Sequence, residues 1–330
     1  MKALVYTAPN EVTYRDEPEP QFGEGDVMIE VDAVGICGSD MHAFHGHDPR
    51  RNPPLILGHE LVGRIVKGPG AGRRATVNPL ITCGHCDYCV QGRDNLCANR
   101  TMIGMTRAGG FAERVATAAR SVIDIPQEMD ARAAALTEPA ATALHAINLS
   151  ARSLVRPLPE CGVLVLGGGA IGMLSALLLR NYGVRHVTVA ETNALRRTAL
   201  EKAAGVATYD PRDKGAPPAG SIDYVIDAVG AKATRNAAFE AVKPGGVVMH
   251  IGLQDWASEI DMRKLTLAEI TLLGTYTYTT ADLRATVRLL HEGAFGDLAW
   301  VEERPLAEGA QAFRDLHEGR TAAAKVLLRP

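Results

Sequence analysis

The sequence has few aromatic residues, no surplus of basic charge and no long apolar run, and each lack excludes something. Aromatics make up only 5% of the 330 residues, so Val, Ile, Leu and Ala must fill the cores. The formal net charge is −3, which argues against a general nucleic-acid binder carrying a basic face. No stretch reaches the roughly 18–20 apolar residues that a membrane span needs. The start, Met1–Tyr14, reads as a strand and lacks the parts of a signal peptide. No membrane or nucleic-acid partner is expected, and a cytoplasmic location is the default expectation.

Cysteine is also sparse, but it is not scattered. Of the six cysteines, Cys83, Cys86, Cys89 and Cys97 crowd into one short segment, while Cys37 and Cys161 stand apart. In a long chain without a signal peptide such clustering points to metal rather than to disulfides. The spacing C-x2-C-x2-C-x7-C lets successive thiolates turn back onto one ion, and four of them close a tetrahedral zinc site. With no coordination position left open, its expected role is structural. The alternatives are an iron–sulfur cluster or a redox group of thiols.

The length suits two ordinary domains. Residues 1 to about 147 are rich in Gly, Pro and short β-type runs such as Val27–Val34 and Leu61–Val66, and read as a mostly β domain with long loops. The character changes near Arg156–Cys161. Strands are expected at Val163–Leu166, His186–Ala190, Tyr224–Asp227 and Val247–Ile251, with helices at Ala170–Arg180 and about 193–204. This alternation predicts a parallel sheet with helices on both faces. Two further helical patterns, Thr280–Gly293 and Ala307–Gly319, and a short strand, Ala324–Leu328, close the chain.

Four stretches then combine: Gly35-Ile36-Cys37-Gly38-Ser39-Asp40-Met41-His42, Gly58-His59-Glu60, the four-cysteine loop, and Thr137-Glu138-Pro139. In this order the chain resembles the zinc-containing medium-chain dehydrogenases, in their branch of sorbitol, threonine and sugar-phosphate dehydrogenases. The resemblance implies an α/β chain with a GroES-like, mostly β catalytic domain and a Rossmann, doubly wound coenzyme domain. The first would span 1–147, completed by about 281–330, and the second 148–280. It also implies a catalytic zinc among Cys37, His59 and Glu138, with Glu60 a neighbouring carboxylate able to exchange for Glu138. One thiolate, one imidazole and one carboxylate leave a fourth position open for water or substrate. Two zinc ions per chain are thus expected, one catalytic and one structural. Asp40 falls where the family orients the ligating histidine. Ser39 and His42 fall where the family passes the alcohol proton outward.

Gly167-Gly168-Gly169-Ala170-Ile171-Gly172 is a G-x-G-x-x-G run between an expected strand and an expected helix, the context in which it binds a dinucleotide. Gly167 permits the turn, Gly169 lets the backbone approach a pyrophosphate, and Gly172 lets helix and strand pack. Glu191, 19 residues past Gly172, would accept from the adenosine ribose hydroxyls and repel a 2′-phosphate, favouring NAD over NADP. Arg196 and Arg197 pull the other way, since an arginine can hold that phosphate.

The expected chemistry is hydride transfer between NAD(H) and a secondary alcohol or ketone of a small polar substrate. Two other readings are kept: a zinc-free quinone or enone reductase, and a non-catalytic nucleotide-binding zinc protein. Two departures from the family stand out. Residues 70–77 form a shortened loop. Thr277 stands where polyol dehydrogenases of this branch often carry an arginine before a tyrosine, which makes the substrate less specific. Phe44, Tyr276 and Tyr278 are candidate pocket residues, and His45 and His47 are extra histidines in the Cys37 loop. A homodimer or homotetramer through strands near 270–280 is expected, because exposed strand edges tend to be paired.

Overall fold

The computed structural model describes all residues, Met1–Pro330. The chain divides into two compact units. One comprises Met1–Glu138, Thr279–Glu292 and Val301–Pro330, and the other Pro139–Tyr278 and Gly293–Trp300.

In the first unit the central strand Asp26–Gly35 pairs antiparallel with Glu60–Lys67, Arg114–Ala118 and the terminal strand Lys325–Arg329. Its buried pattern, Val27, Ile29, Val31, Ala33 and Val34, shows why it sits in the middle. A strand covered by sheet neighbours and core offers little room for polar side chains. Val27, Ile29, Val31 and Val34 join Leu4, Leu61, Phe111 and Phe313 in the unit's core. The register sets Gly35 opposite Glu60. A Cβ at Gly35 would collide with the Glu60 carboxylate, so only glycine at this strand end leaves room for a buried glutamate.

The second unit is a six-stranded parallel sheet. In chain order its strands are β1 (Gly162–Leu166), β2 (His186–Ala190), β3 (Ala207–Tyr209), β4 (Ile222–Asp227), β5 (Val242–His250) and β6 (Thr271–Gly274), and their spatial order is 3-2-1-4-5-6. That is the doubly wound order, with its reversal point beside β1. Local chemistry sets the helix ends. Asn193 caps helix Ala194–Ala204 by accepting from the N–H groups of Leu195 and Arg196, and Gly205 ends it at φ +59°. An amide cap of this kind contributes on the order of 1 kcal/mol, and a left-handed residue past the last turn suits glycine. No helix is long and apolar enough to cross a membrane.

Candidate active site

Two strand ends of the first unit build one buried cluster. Cys37 follows the end of Asp26–Gly35 and precedes the short helix Gly38–Phe44. His59 and Glu60 follow Gly58, which adopts φ +92° and packs against the Phe111 ring. The ligand atoms of Cys37, His59 and Glu60 all lie within 4.8 Å of one another. His59 is 2% exposed and Glu60 fully buried. Glu138 is also buried, near the start of helix Thr137–Ala151, but lies outside this mutually close set. The structure therefore brings Glu60 next to Cys37 and His59.

The cluster's electrostatics suit a cation. Burial opposes a charge on the His59 imidazole, yet Asp40 and the Cys37 thiol raise its pKa well above the ordinary value. Asp40 Oδ2 accepts from the Cys37 N–H at 3.0 Å. Its Oδ1 stands 3.6 Å from His59 Nδ1, beyond hydrogen-bond distance, and neither of these buried atoms has another partner. One thiol, one imidazole and one carboxylate, buried together, form a donor set that fits zinc with a position left open.

Two basic residues at this site went unnoticed in the sequence. Lys325 opens the terminal strand, and its Nζ donates to Glu60 Oε1 at 2.7 Å, Glu60 Oε2 at 2.6 Å and the Ile36 carbonyl at 2.9 Å. Burial opposes its charge, but Glu60, Cys37 and Glu138 together raise its pKa. The one available signal was a lysine in an otherwise apolar strand. Arg51, with nothing in its neighbourhood to mark it, is 2% exposed and reaches Ser39. His42, half-buried on the same helix as Ser39, has a lowered pKa through burial and then His47.

The remaining candidates divide. Phe44 and Tyr278 are buried at 3% and 0% exposure, and Phe44 packs on Phe313. Tyr276 is half-buried. His45 Nε2 and His317 Nδ1 share a hydrogen bond at 2.9 Å, while His47 is exposed. Thr277 adopts φ +47°, a conformation that costs a β-branched residue about 1–3 kcal/mol, and its Oγ1 is buried without a partner.

The four-cysteine loop also converges. Cys83, Cys86, Cys89 and Cys97 place their sulfurs within 4.8 Å of one another, and none is in a disulfide. The Cys86–Cys89 and Cys83–Cys89 sulfur separations are 3.5 and 3.9 Å. A tetrahedron with Zn–S bonds of about 2.3 Å has edges of about 3.8 Å, so the thiols already stand near the spacing of one ion. Backbone N–H groups of His85 and Cys86 pull the Cys83 thiol down to about 6, while burial first pushes Cys89 up to about 11.

In the second unit the glycine run turns between β1 and helix Ala170–Asn181. Gly167 adopts φ +97°, and a Cβ at Gly172 would strike the Gly167 carbonyl. Nothing lies within 4 Å of where a Gly169 Cβ would sit, so the backbone is open to a ligand where a pyrophosphate would approach. Glu191, at the end of β2, accepts from the Gly168 N–H at 2.8 Å and the Asn193 N–H at 2.7 Å. Arg197 is committed to the Glu191 and Thr192 carbonyls and to Asp210. Arg196 is half-buried, and its Nε has no partner.

Comparison with known proteins agrees with both units. The model "Alcohol dehydrogenase GroES-like domain" matches residues 23–127, and "Zinc-binding dehydrogenase" matches 170–292. The chain is 30% identical to L-galactonate-5-dehydrogenase of Escherichia coli K12, across 97% of this chain and 96% of the relative. It is 29% identical to L-threonine 3-dehydrogenase of Shewanella woodyi, across 84% of each. A solved structure from Sinorhizobium meliloti 1021, described as a zinc-binding dehydrogenase bound to NADP, superposes with TM-score 0.87 at 32% identity. That match covers 100% of this chain and 99% of the other.

Proposed function

The chain belongs to the zinc-containing medium-chain alcohol dehydrogenase family, and on that premise we propose that it oxidises a small polar secondary alcohol with NAD. The substrate class is a polyol, a sugar derivative or an amino alcohol, and the ketone is reduced in the reverse direction. The observation that carries the reading is the buried convergence of Cys37, His59 and Glu60. A zinc-free reductase or a nucleotide-binding zinc protein has no need of that donor set. The names of the two relatives point to the same class of hydroxyl compound.

When bound, zinc supplies Lewis acidity that lowers an alcohol's pKa, and the nicotinamide supplies the hydride acceptor. Cys37 and His59 hold the metal, with Glu60 or Glu138 as the carboxylate and Asp40 orienting the imidazole. Ser39 Oγ takes the proton of the substrate hydroxyl, and His42 carries it toward solvent. Cys83, Cys86, Cys89 and Cys97 hold a second, structural zinc. Glu191 supports NAD over NADP, because a carboxylate at the end of β2 accepts from ribose hydroxyls and repels a 2′-phosphate. Of the two nearby arginines, Arg197 is already engaged, whereas Arg196 Nε has no partner.

A homo-oligomer completes the reading. Strand β6 pairs only with β5 and leaves one edge open. Leu253, Trp256, Met262 and Leu267 of the same unit are 72%, 90%, 59% and 70% exposed, more apolar surface than a lone chain usually leaves in water. Light scattering of the purified protein checks this.

The decisive experiment is a panel of polyols, sugar acids, amino alcohols and simple secondary alcohols, followed as NADH or NADPH absorbance, alongside metal analysis. The reading expects turnover with one of these classes, a preference for NAD, and two zinc ions per chain. One zinc, retained in C37S, together with reduction of quinones or enones only, would overturn it.

A further inference from the structure

Arg51 lies outside every motif in the chain, yet its side chain is fully buried. Burying a guanidinium costs several kcal/mol unless its charge and donors are matched, so its placement calls for an explanation. The Asp48 carboxylate, also nearly sealed, accepts from Nη1 at 2.7 Å. Three further contacts remain, and two of them go to one residue. Nε donates to the Gly104 carbonyl at 3.1 Å, Nη1 to the Ser39 carbonyl at 3.0 Å, and Nη2 to Ser39 Oγ at 3.1 Å. Arg51 therefore grips Ser39 by both main chain and side chain.

We propose that Arg51 is a positioning residue that sets the direction of the Ser39 hydroxyl for proton transfer. The proposal rests on the reading of Ser39 as the group that takes the alcohol proton. A serine hydroxyl has two lone pairs and one proton. The guanidinium has only protons to offer, so it fills one lone pair and turns the Ser39 proton away from itself. What remains is one lone pair to receive a proton and one O–H to give one up. Without Arg51, a hydroxyl in the first turn of helix Gly38–Phe44 would be free to rotate among staggered wells or to bond the local backbone. The competing role, a plain rivet between the Asp48 loop and that helix, would affect stability but not the hydroxyl.

The test uses R51K, S39A and S39A/R51K, each as zinc-loaded full-length protein. R51K keeps the charge beside Asp48 but not the planar fork, so the loop stays folded, and thermal melting checks this. Rates are taken with the best alcohol from the panel above. The expected result is a fall in kcat of about tenfold or more in R51K, with KM for NAD within about twofold. In the S39A background R51K is expected to change kcat by less than about twofold, because residues acting as one unit are not additive. A crystal structure of R51K, which needs no turnover, is expected to show Ser39 Oγ spread over more than one rotamer. Equal losses from R51K with and without Ser39, or a single unchanged Ser39 rotamer, overturn the proposal and leave the relay standing. If S39A turns over like the parent, the relay reading fails and this proposal falls with it.

Discussion

Lys325 Nζ bonds both oxygens of Glu60, at 2.7 and 2.6 Å, in a pair whose side chains are 1% and 0% exposed. The strand Glu60–Lys67 and the last strand of the chain are thereby locked together at the candidate metal cluster. Breaking such a pair from one side leaves a buried charge without a partner, at a cost of about 3–5 kcal/mol. K325M is expected to lose stability of that order in chemical denaturation, and E60Q/K325M to recover most of it. A K325M protein as stable as the parent would show that the pair does not hold this corner together.

Glu191 is expected to set coenzyme choice. Its carboxylate meets the Gly168 and Asn193 N–H groups, so E191A loses both the anchor of the glycine loop and the charge that opposes a 2′-phosphate. The ratio of kcat/KM for NAD to that for NADP should fall by about tenfold or more, about 1.4 kcal/mol. An unchanged ratio places the discrimination elsewhere.

Cys97 is the one fully buried member of the four-cysteine loop. With only three thiols left the tetrahedral site opens, and structural zinc contributes directly to folding. C97S is expected to carry one zinc fewer per chain and to be cut faster by protease between residues 83 and 103. The metal at Cys37 should remain. Loss of both ions together would mean that the two sites are not independent.

His42 titrates below the ordinary histidine value of 6.5, because burial and then His47 disfavour its charge. A lowered pKa keeps the imidazole neutral, and able to accept a proton, down to a more acid pH. The acid limb of kcat for alcohol oxidation should therefore lie below pH 6.5, and H42Q should slow turnover and flatten that limb. A limb that persists unchanged in H42Q belongs to another group.

Much of this molecule was legible from short-range pattern. The strand and helix of the glycine loop stand at Gly162–Leu166 and Ala170–Asn181, close to where apolar runs and glycines predicted them. The four-cysteine site was equally readable, because gaps of two residues bring thiols together with no help from distant chain. In each case the partners are neighbours in sequence, and backbone geometry alone determines the outcome.

The candidate catalytic cluster behaves differently. Motif resemblance supplied Cys37, His59 and Glu138, and the antiparallel register of Gly35 with Glu60 set Glu60 beside the first two. Lys325 reaches Glu60 across 265 positions, and Arg51 reaches Ser39 by folding a loop back over its own helix. No local pattern marks Arg51, and Lys325 is marked only by the apolar run it opens, since a lysine or arginine in isolation reads as solvated surface. The sequence by itself determined the strand–helix alternation around the glycine loop and the closeness of the four thiols. Tertiary structure alone decided which charges are buried together, because packing must first remove the water before a buried cation requires a partner.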